Sequence, residues 1–187
     1  MIPMLGASFI LSFSILLQSA PLPPAAWMLE YEGRSTNDLM WDKRARQVIN
    51  TRVPAALSRE VLEGLGGPPD PVLVTDHRYV SASACAAHYC PMKAFFWVDT
   101  RTGIGLGALF VAGIGADPGK LRLGSNGLSG RHLPERARRA LIEWIREKNI
   151  GPEVVDFTTG DGRVSPLDDD DFWPKEKFQP GSLGPFI

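Results

Sequence analysis

Residues 79–98 read YVSASACAAHYCPMKAFFWV, and this stretch decides the fold. Tyr79 to Ala84 predicts one β-strand, and Lys93 to Val98 predicts a second. The aromatic side chains of the second strand fall on both of its faces, as expected of a strand inside a sheet. Cys85 and Cys90 lie between the two strands, with four residues separating them. The sequence therefore predicts a short loop, bounded by two cysteines, that projects from an end or edge of the sheet.

The segments on either side extend the same sheet. Val72 to Thr75 predicts a preceding strand, with Asp76-His77-Arg78 as the turn that follows it. Asp99 to Gly103 has the composition of a hairpin turn, and Ile104 to Val111 predicts the returning strand. The glycines of Gly103-Ile-Gly-Leu-Gly107 precede a strand and not a helix, so they indicate close packing and not a nucleotide-binding loop.

Three helical patterns flank the strands. The first starts at Ser35, and its apolar face is formed by Trp41, Ala45, Val48 and Ile49. The second starts at Pro54, ends at Gly64 and carries Leu57, Val61 and Leu62. The third runs from Pro134 to Asn149, and its apolar stripe is formed by Ala137, Leu141, Trp144 and Ile145. We therefore expect an α+β fold, an antiparallel β-sheet flanked by short helices with a disulfide-clamped protruding loop.

Composition and charge limit the classes of function. The 187 residues are 44% apolar and 22% charged, which allows a folded core, and the formal charge of -1 argues against general nucleic-acid binding. Met1 to Leu17 has no charged side chain, and it is shorter than the ~20 apolar residues of a membrane span. Residues 1–20 are therefore interpreted as the signal peptide of a periplasmic protein, with an uncleaved anchor as the alternative.

The rest of the chain divides into three parts. Residues 21–33 are interpreted as a linker or arm, and residues 34–155 as the folded domain. Residues 156–187 are interpreted as an irregular acidic tail, in which Asp168 to Asp171 form a solvated run of charge. This run lacks the alternating acidic pattern of a calcium loop, so we expect no metal there.

The cysteine pair and the histidine beside it are the candidate functional residues. An even number of cysteines in an exported protein favours a disulfide between Cys85 and Cys90. Such a bridge would hold the intervening residues in few conformations before a partner arrives, which lowers the entropic cost of binding. The imidazole of His88 can donate and accept hydrogen bonds, so it suits a pair of carboxyl groups of which one is protonated. A structural staple that carries a solvent-exposed histidine is the alternative interpretation.

At these residues the chain resembles a known family. The segment Ser83-Ala-Cys-Ala-Ala-His-Tyr-Cys90 resembles the signature loop of the inhibitor of vertebrate lysozyme (Ivy) family, and the likeness extends over about residues 40–112. In that family the loop enters the lysozyme cleft and its histidine bonds the catalytic carboxylates. The family loop usually carries Lys and Pro before the histidine and Asp after it, where this chain has Ala86, Ala87 and Tyr89.

The resemblance implies a function for the loop. It implies that Cys85 and Cys90 form the clamp, that His88 plugs the cleft, and that the protein is an exported inhibitor and not an enzyme. The implied inhibitory loop is Cys85, Ala86, Ala87, His88, Tyr89 and Cys90. The implied partner is an animal-type (C-type) lysozyme, with the bacterium's own peptidoglycan-cleaving enzymes as further targets. No cofactor is expected, and a homodimer is left open.

Other classes of function compete with this interpretation. Cys85, His88 and Cys90 are residue types that zinc accepts, and His77 or Asp76 would be a fourth ligand. The same loop would also serve a non-enzymatic periplasmic binding module for another partner. A thiol oxidoreductase and a serine hydrolase are disfavoured, because the cysteine spacing is wider than Cys-x-x-Cys and no Gly-x-Ser-x-Gly motif occurs.

Overall fold

A computed structural model describes residues 25–129 and 132–167 of the chain. Within these residues, seven strands form one sheet in the order of the sequence. The strands are β1 (Leu73–Thr75), β2 (Tyr79–Ala86), β3 (Tyr89–Asp99), β4 (Gly105–Val111), β5 (Lys120–Ser125), β6 (Val154–Thr159) and β7 (Val164–Pro166). Neighbouring strands are antiparallel except for β5 and β6, which are parallel. The predicted α+β fold is confirmed.

Helices cover both faces of the sheet. They are α1 (Thr36–Trp41), α2 (Lys43–Arg52), α3 (Ala55–Gly64) and α4 (Glu135–Glu147), preceded by a 3-10 helix (Ala26–Tyr31). Alternate residues of β3 divide between two cores: Phe96 faces α1–α3, whereas Phe95 and Trp97 face α4. The prediction that this strand lies inside the sheet is confirmed. None of the helices in the described part of the chain is long and apolar enough to cross a membrane.

The predicted first helix is two helices. The hydroxyl of Ser35 accepts a hydrogen bond from the backbone N–H of Asn37 and so caps α1, as the pattern indicates. Asp42 then interrupts the helix, because its carboxylate accepts the backbone N–H of Arg44 and caps α2. The break turns Trp41 outward, and this side chain is 78% exposed. Its predicted place on the apolar face is therefore wrong, whereas Ala45, Val48 and Ile49 are buried as predicted.

The other two predicted helices are confirmed. Pro54 and Pro134 precede α3 and α4 at the positions where proline suits a helix start. The glycines of β4 allow the α2–α3 junction to approach the sheet, because a Cβ on Gly107 would lie 2.7 Å from Cγ2 of Val53. Close packing, as predicted, explains these glycines.

Two parts of the predicted division of the chain are corrected. Residues 26–31, assigned to a linker or arm, form the 3-10 helix, and its Met28 is fully buried. The tail predicted as irregular from residue 156 begins with β6 and β7, and Phe157 is fully buried. β6 was missed because it joins the sheet by pairing with β5 only after the chain has crossed over through α4, and β7 pairs with β6 in turn. The predicted signal peptide and Asp168 to Asp171 lie outside the described residues.

An ion pair joins the turn before β2 to the last residue of β3. Nε and Nη2 of Arg78 donate to Oδ1 and Oδ2 of Asp99 at 2.8 and 2.6 Å. Burial raises the pKa of Asp99, but hydrogen bonds from Arg78 and from the backbone N–H groups of Arg101 and Thr102 outweigh burial and hold this pKa at about 2.

The depressed pKa predicts a loss of stability in acid. The folded-state pKa of Asp99 lies below the ordinary value of 3.8, so the ionised carboxylate stabilises the fold above about pH 4. This contribution, about 2 kcal/mol, is lost as the pH falls from about 4 toward 2. We expect Asp99→Asn to lower the free energy of unfolding at pH 7, and its difference from the parent to shrink in acid. Denaturant titrations of both proteins from pH 7 to about 3 measure this, and a pH-independent difference would contradict it.

Candidate functional site

The cysteine loop is a tight hairpin. β2 and β3 continue through both cysteines to a final pair between Ala86 and Tyr89, so the turn consists of Ala87 and His88 alone. His88 has a φ of 62°, a left-handed conformation that histidine adopts more readily than most residues. The register shifts beside the turn, since Cys85 pairs with Lys93 and Ala86 with Tyr89. The predicted protruding loop is thus narrower than its six residues suggest, and the imidazole lies at its tip.

The predicted disulfide is present. The sulfurs of Cys85 and Cys90 are bonded, and their Cα atoms lie 4.8 Å apart across the hairpin. Zinc binds thiolates and neither sulfur of a disulfide is one, so the bridge argues against the zinc alternative. His77 and Asp76, considered as fourth ligands, lie in the turn before β2, at the end opposite the hairpin. No cluster of three or more metal-ligating side chains occurs in the two described ranges.

Four of the six predicted loop residues are exposed. They are Ala87, His88, Tyr89 and Cys90. Cys85 is partly buried, and Ala86 is only 4% exposed, so Ala86 offers no side-chain surface to a partner. Ala86 belongs to the hairpin but points to its packed side. The surface that a partner meets is the turn and the first residues of β3.

Residues 66–70 support β2 from outside the hairpin. The backbone N–H of Asp70 donates to the carbonyl of Ser83, and that of Cys85 donates to the carbonyl of Pro68. Gly67 lies so close to the hairpin backbone that an added Cβ would be 2.3 Å from the carbonyl oxygen of Cys85. The base of the hairpin is thus packed against a second backbone segment.

A polar network extends this support to the end of α4. Asp70 accepts the hydroxyl of Ser83 at 2.6 Å and pairs with Nζ of Lys148 at 2.5 Å. The three residues come from distant parts of the chain, which explains why sequence reasoning missed them. On the other strand, Nζ of Lys93 donates to the carbonyl of Cys90 at 2.9 Å. Covalent and polar contacts therefore hold the hairpin in place before any partner binds.

The imidazole at the tip is available for binding. The side chain of His88 is exposed, and it makes no hydrogen bond or ion pair with another described residue. A neutral imidazole donates at one nitrogen and accepts at the other. The arrangement can therefore bridge one hydrogen-bond acceptor and one donor in a partner's concave site.

Comparisons of the chain with protein-family models, with curated proteins and with solved structures find no match in any of the three.

Proposed function

We propose that the protein is an exported inhibitor of lysozyme, which plugs the cleft of the enzyme with the hairpin that carries His88. The observation that supports this most directly is an exposed histidine at the tip of a two-residue turn closed by the Cys85–Cys90 disulfide. The resemblance of this segment to the lysozyme-inhibitor family points to the same target.

The chemistry of the target matches this tip. Lysozyme holds one carboxylic acid of raised pKa opposite an ionised carboxylate, with the two groups about 5 Å apart. A neutral imidazole placed between them accepts from the acid with one nitrogen and donates to the carboxylate with the other. His88 would then occupy the position of the scissile bond and exclude the substrate. The aromatic ring of Tyr89 beside it would pack on the cleft wall.

A titration of lysozyme activity tests the proposal. Periplasmic protein is added to C-type lysozyme acting on peptidoglycan, and to bacterial peptidoglycan-cleaving enzymes in parallel. We expect saturable inhibition of the C-type enzyme with one inhibitor bound per active site. If none of these enzymes is inhibited or bound, the proposal is wrong, and the hairpin serves a partner of another class.

Opening the disulfide is expected to reduce both stability and inhibition. In Cys85→Ser/Cys90→Ser, loss of the six-residue ring lowers the free energy of unfolding by about 2 kcal/mol. The freed turn must also be ordered on binding, so we expect a weaker inhibition constant. Reductant added to the parent should reproduce both effects and leave the double-serine variant unchanged. Equal inhibition by the parent and the variant would show that the clamp does not order the tip.

A further inference from the structure

A second element lies beside the hairpin, the β4–β5 loop of residues 112–119. The backbone N–H of Ala112 donates to the carbonyl of Pro91 at 3.0 Å, which joins this loop directly to the hairpin strand. Two residues further on, the side chain of Ile114 is 68% exposed. Tyr89, which is 41% exposed, and the exposed Pro91 lie on the strand that this loop joins, so exposed apolar side chains of the two elements lie at the same end of the sheet.

The loop presents Ile114 on a braced turn. The backbone N–H of Asp117 donates to the carbonyl of Ile114 at 3.1 Å, and a Cβ on Gly113 would lie 2.1 Å from the carbonyl oxygen of Asp117. At the far end of the loop, the carbonyl of Gly119 accepts the backbone N–H of Glu153 at 2.8 Å. Ile114 is therefore held outward by the backbone and needs little ordering on contact with a partner.

The charges around this surface favour a cationic partner. Lys120 and Arg122, which follow the loop in β5, each pair with a carboxylate. Lys93 on the hairpin strand donates to a backbone carbonyl and has no carboxylate partner among the described residues. Two carboxylates at the loop itself have no ion-pair partner in the same part of the chain: Asp117, and Glu153, which accepts the backbone N–H of Gly119. The loop that carries Ile114 therefore has an excess of negative charge.

The area of a specific interface requires such a second surface. A stable complex buries about 800 Å² on each partner, more than a turn of two residues offers. We infer that the β4–β5 loop is a second contact for the same lysozyme, with Ile114 against the cleft wall and Asp117 toward the basic surface around it. This inference rests on the proposed function and adds the residues that bind beyond the active site.

Two variants with matched controls test the inference. Ile114→Ser is expected to raise the inhibition constant about tenfold, mainly through faster dissociation. Its control is Val164→Ser, because Val164 is 62% exposed and pairs with Thr158 at the end of β6 away from the loop. Asp117→Asn is expected to slow association at low salt, with a difference that shrinks near 0.15 M. Its control is Glu143→Gln on α4, because Glu143 is exposed, lies beside Thr75 and Tyr79, and like Asp117 has no ion-pair partner among the described residues.

The outcomes separate this inference from the proposed function. If the parent inhibits lysozyme through His88 but both loop variants match their controls, the second contact is wrong and the hairpin plug stands. If the parent neither binds nor inhibits lysozyme, the proposed function is wrong and the inference with it. If Ile114→Ser also lowers the melting temperature, its weaker inhibition could come from lost stability. Hydrogen exchange on the parent then decides whether the loop contacts lysozyme. Protection of residues 112–119 in the lysozyme complex supports the contact, and unchanged exchange overturns it.

Discussion

Replacing His88 with alanine is expected to weaken lysozyme inhibition by about tenfold to a hundredfold. A hydrogen bond to a charged group contributes about 1.5–3 kcal/mol, and the variant loses the imidazole that would meet the two carboxyl groups. The fold should stay intact, because the side chain of His88 is exposed and bonds no described residue. Inhibition constants measured at one ionic strength report the loss of inhibition, and denaturation curves show whether stability has also changed.

The chain offers a matched control for this substitution. His77 is also exposed, has a φ of 47°, and lies in the turn at the opposite end of β2. His77→Ala should therefore inhibit as the parent does. His88→Gly adds a second variant, which removes the imidazole without placing a Cβ in the left-handed conformation. If His88→Ala and His88→Gly inhibit as strongly as the parent, the plug mechanism is wrong.

Gly67→Ala is expected to destabilise the protein by about 3 kcal/mol and to displace the hairpin. The added Cβ would lie 2.3 Å from the carbonyl oxygen of Cys85 and 2.6 Å from the amide nitrogen of Ala87. These are backbone atoms that are tied by the disulfide and by strand pairing, so no flexible side chain can move aside. We therefore expect Gly67→Ala to unfold at a lower denaturant concentration than the parent and to inhibit more weakly.

Gly151→Ala is the control for this steric effect. Nothing lies within 4 Å of a Cβ placed on Gly151, so its replacement should leave stability close to that of the parent. If Gly67→Ala unfolds at the same denaturant concentration as Gly151→Ala, the packing between residues 66–70 and the hairpin is not as described. A loss of stability with unchanged inhibition would instead separate this packing from the binding surface.

Local patterns in the sequence predicted the part of the fold that local chemistry determines. The apolar and aromatic residues of β3 and the turns around it specified β1 to β4, and the prolines at 54 and 134 marked the helix starts. The break at Asp42 was missed, because a capping carboxylate competes with a helical pattern that is otherwise continuous. β5 to β7 were also missed. The parallel pairing of β6 with β5 depends on the crossover through α4, which no local pattern shows, whereas β5 and β7 pair with the strands that precede them in the sequence.

The candidate site likewise contains residues that the sequence predicted and residues that it missed. The disulfide and the tip position of His88 followed from the spacing of two cysteines between strands. The residues that brace the hairpin did not, since Asp70 and Lys148 are 78 positions apart and a Pro-Pro-Asp segment has no local signal for a side-chain network. Ile114 was also missed, because only the structure brings its loop beside Pro91.

The contact between Asp70 and Lys148 makes the support of the hairpin depend on a later part of the chain. Synthesis from the N-terminus produces both cysteines and His88 well before the end of α4, so the disulfide can close on a hairpin that still lacks one support. Lys148 reaches the carboxylate of Asp70 only when α4 packs against the sheet. A fragment that stops before α4 would keep the disulfide and the histidine, yet it would lack this contact at the base of the hairpin.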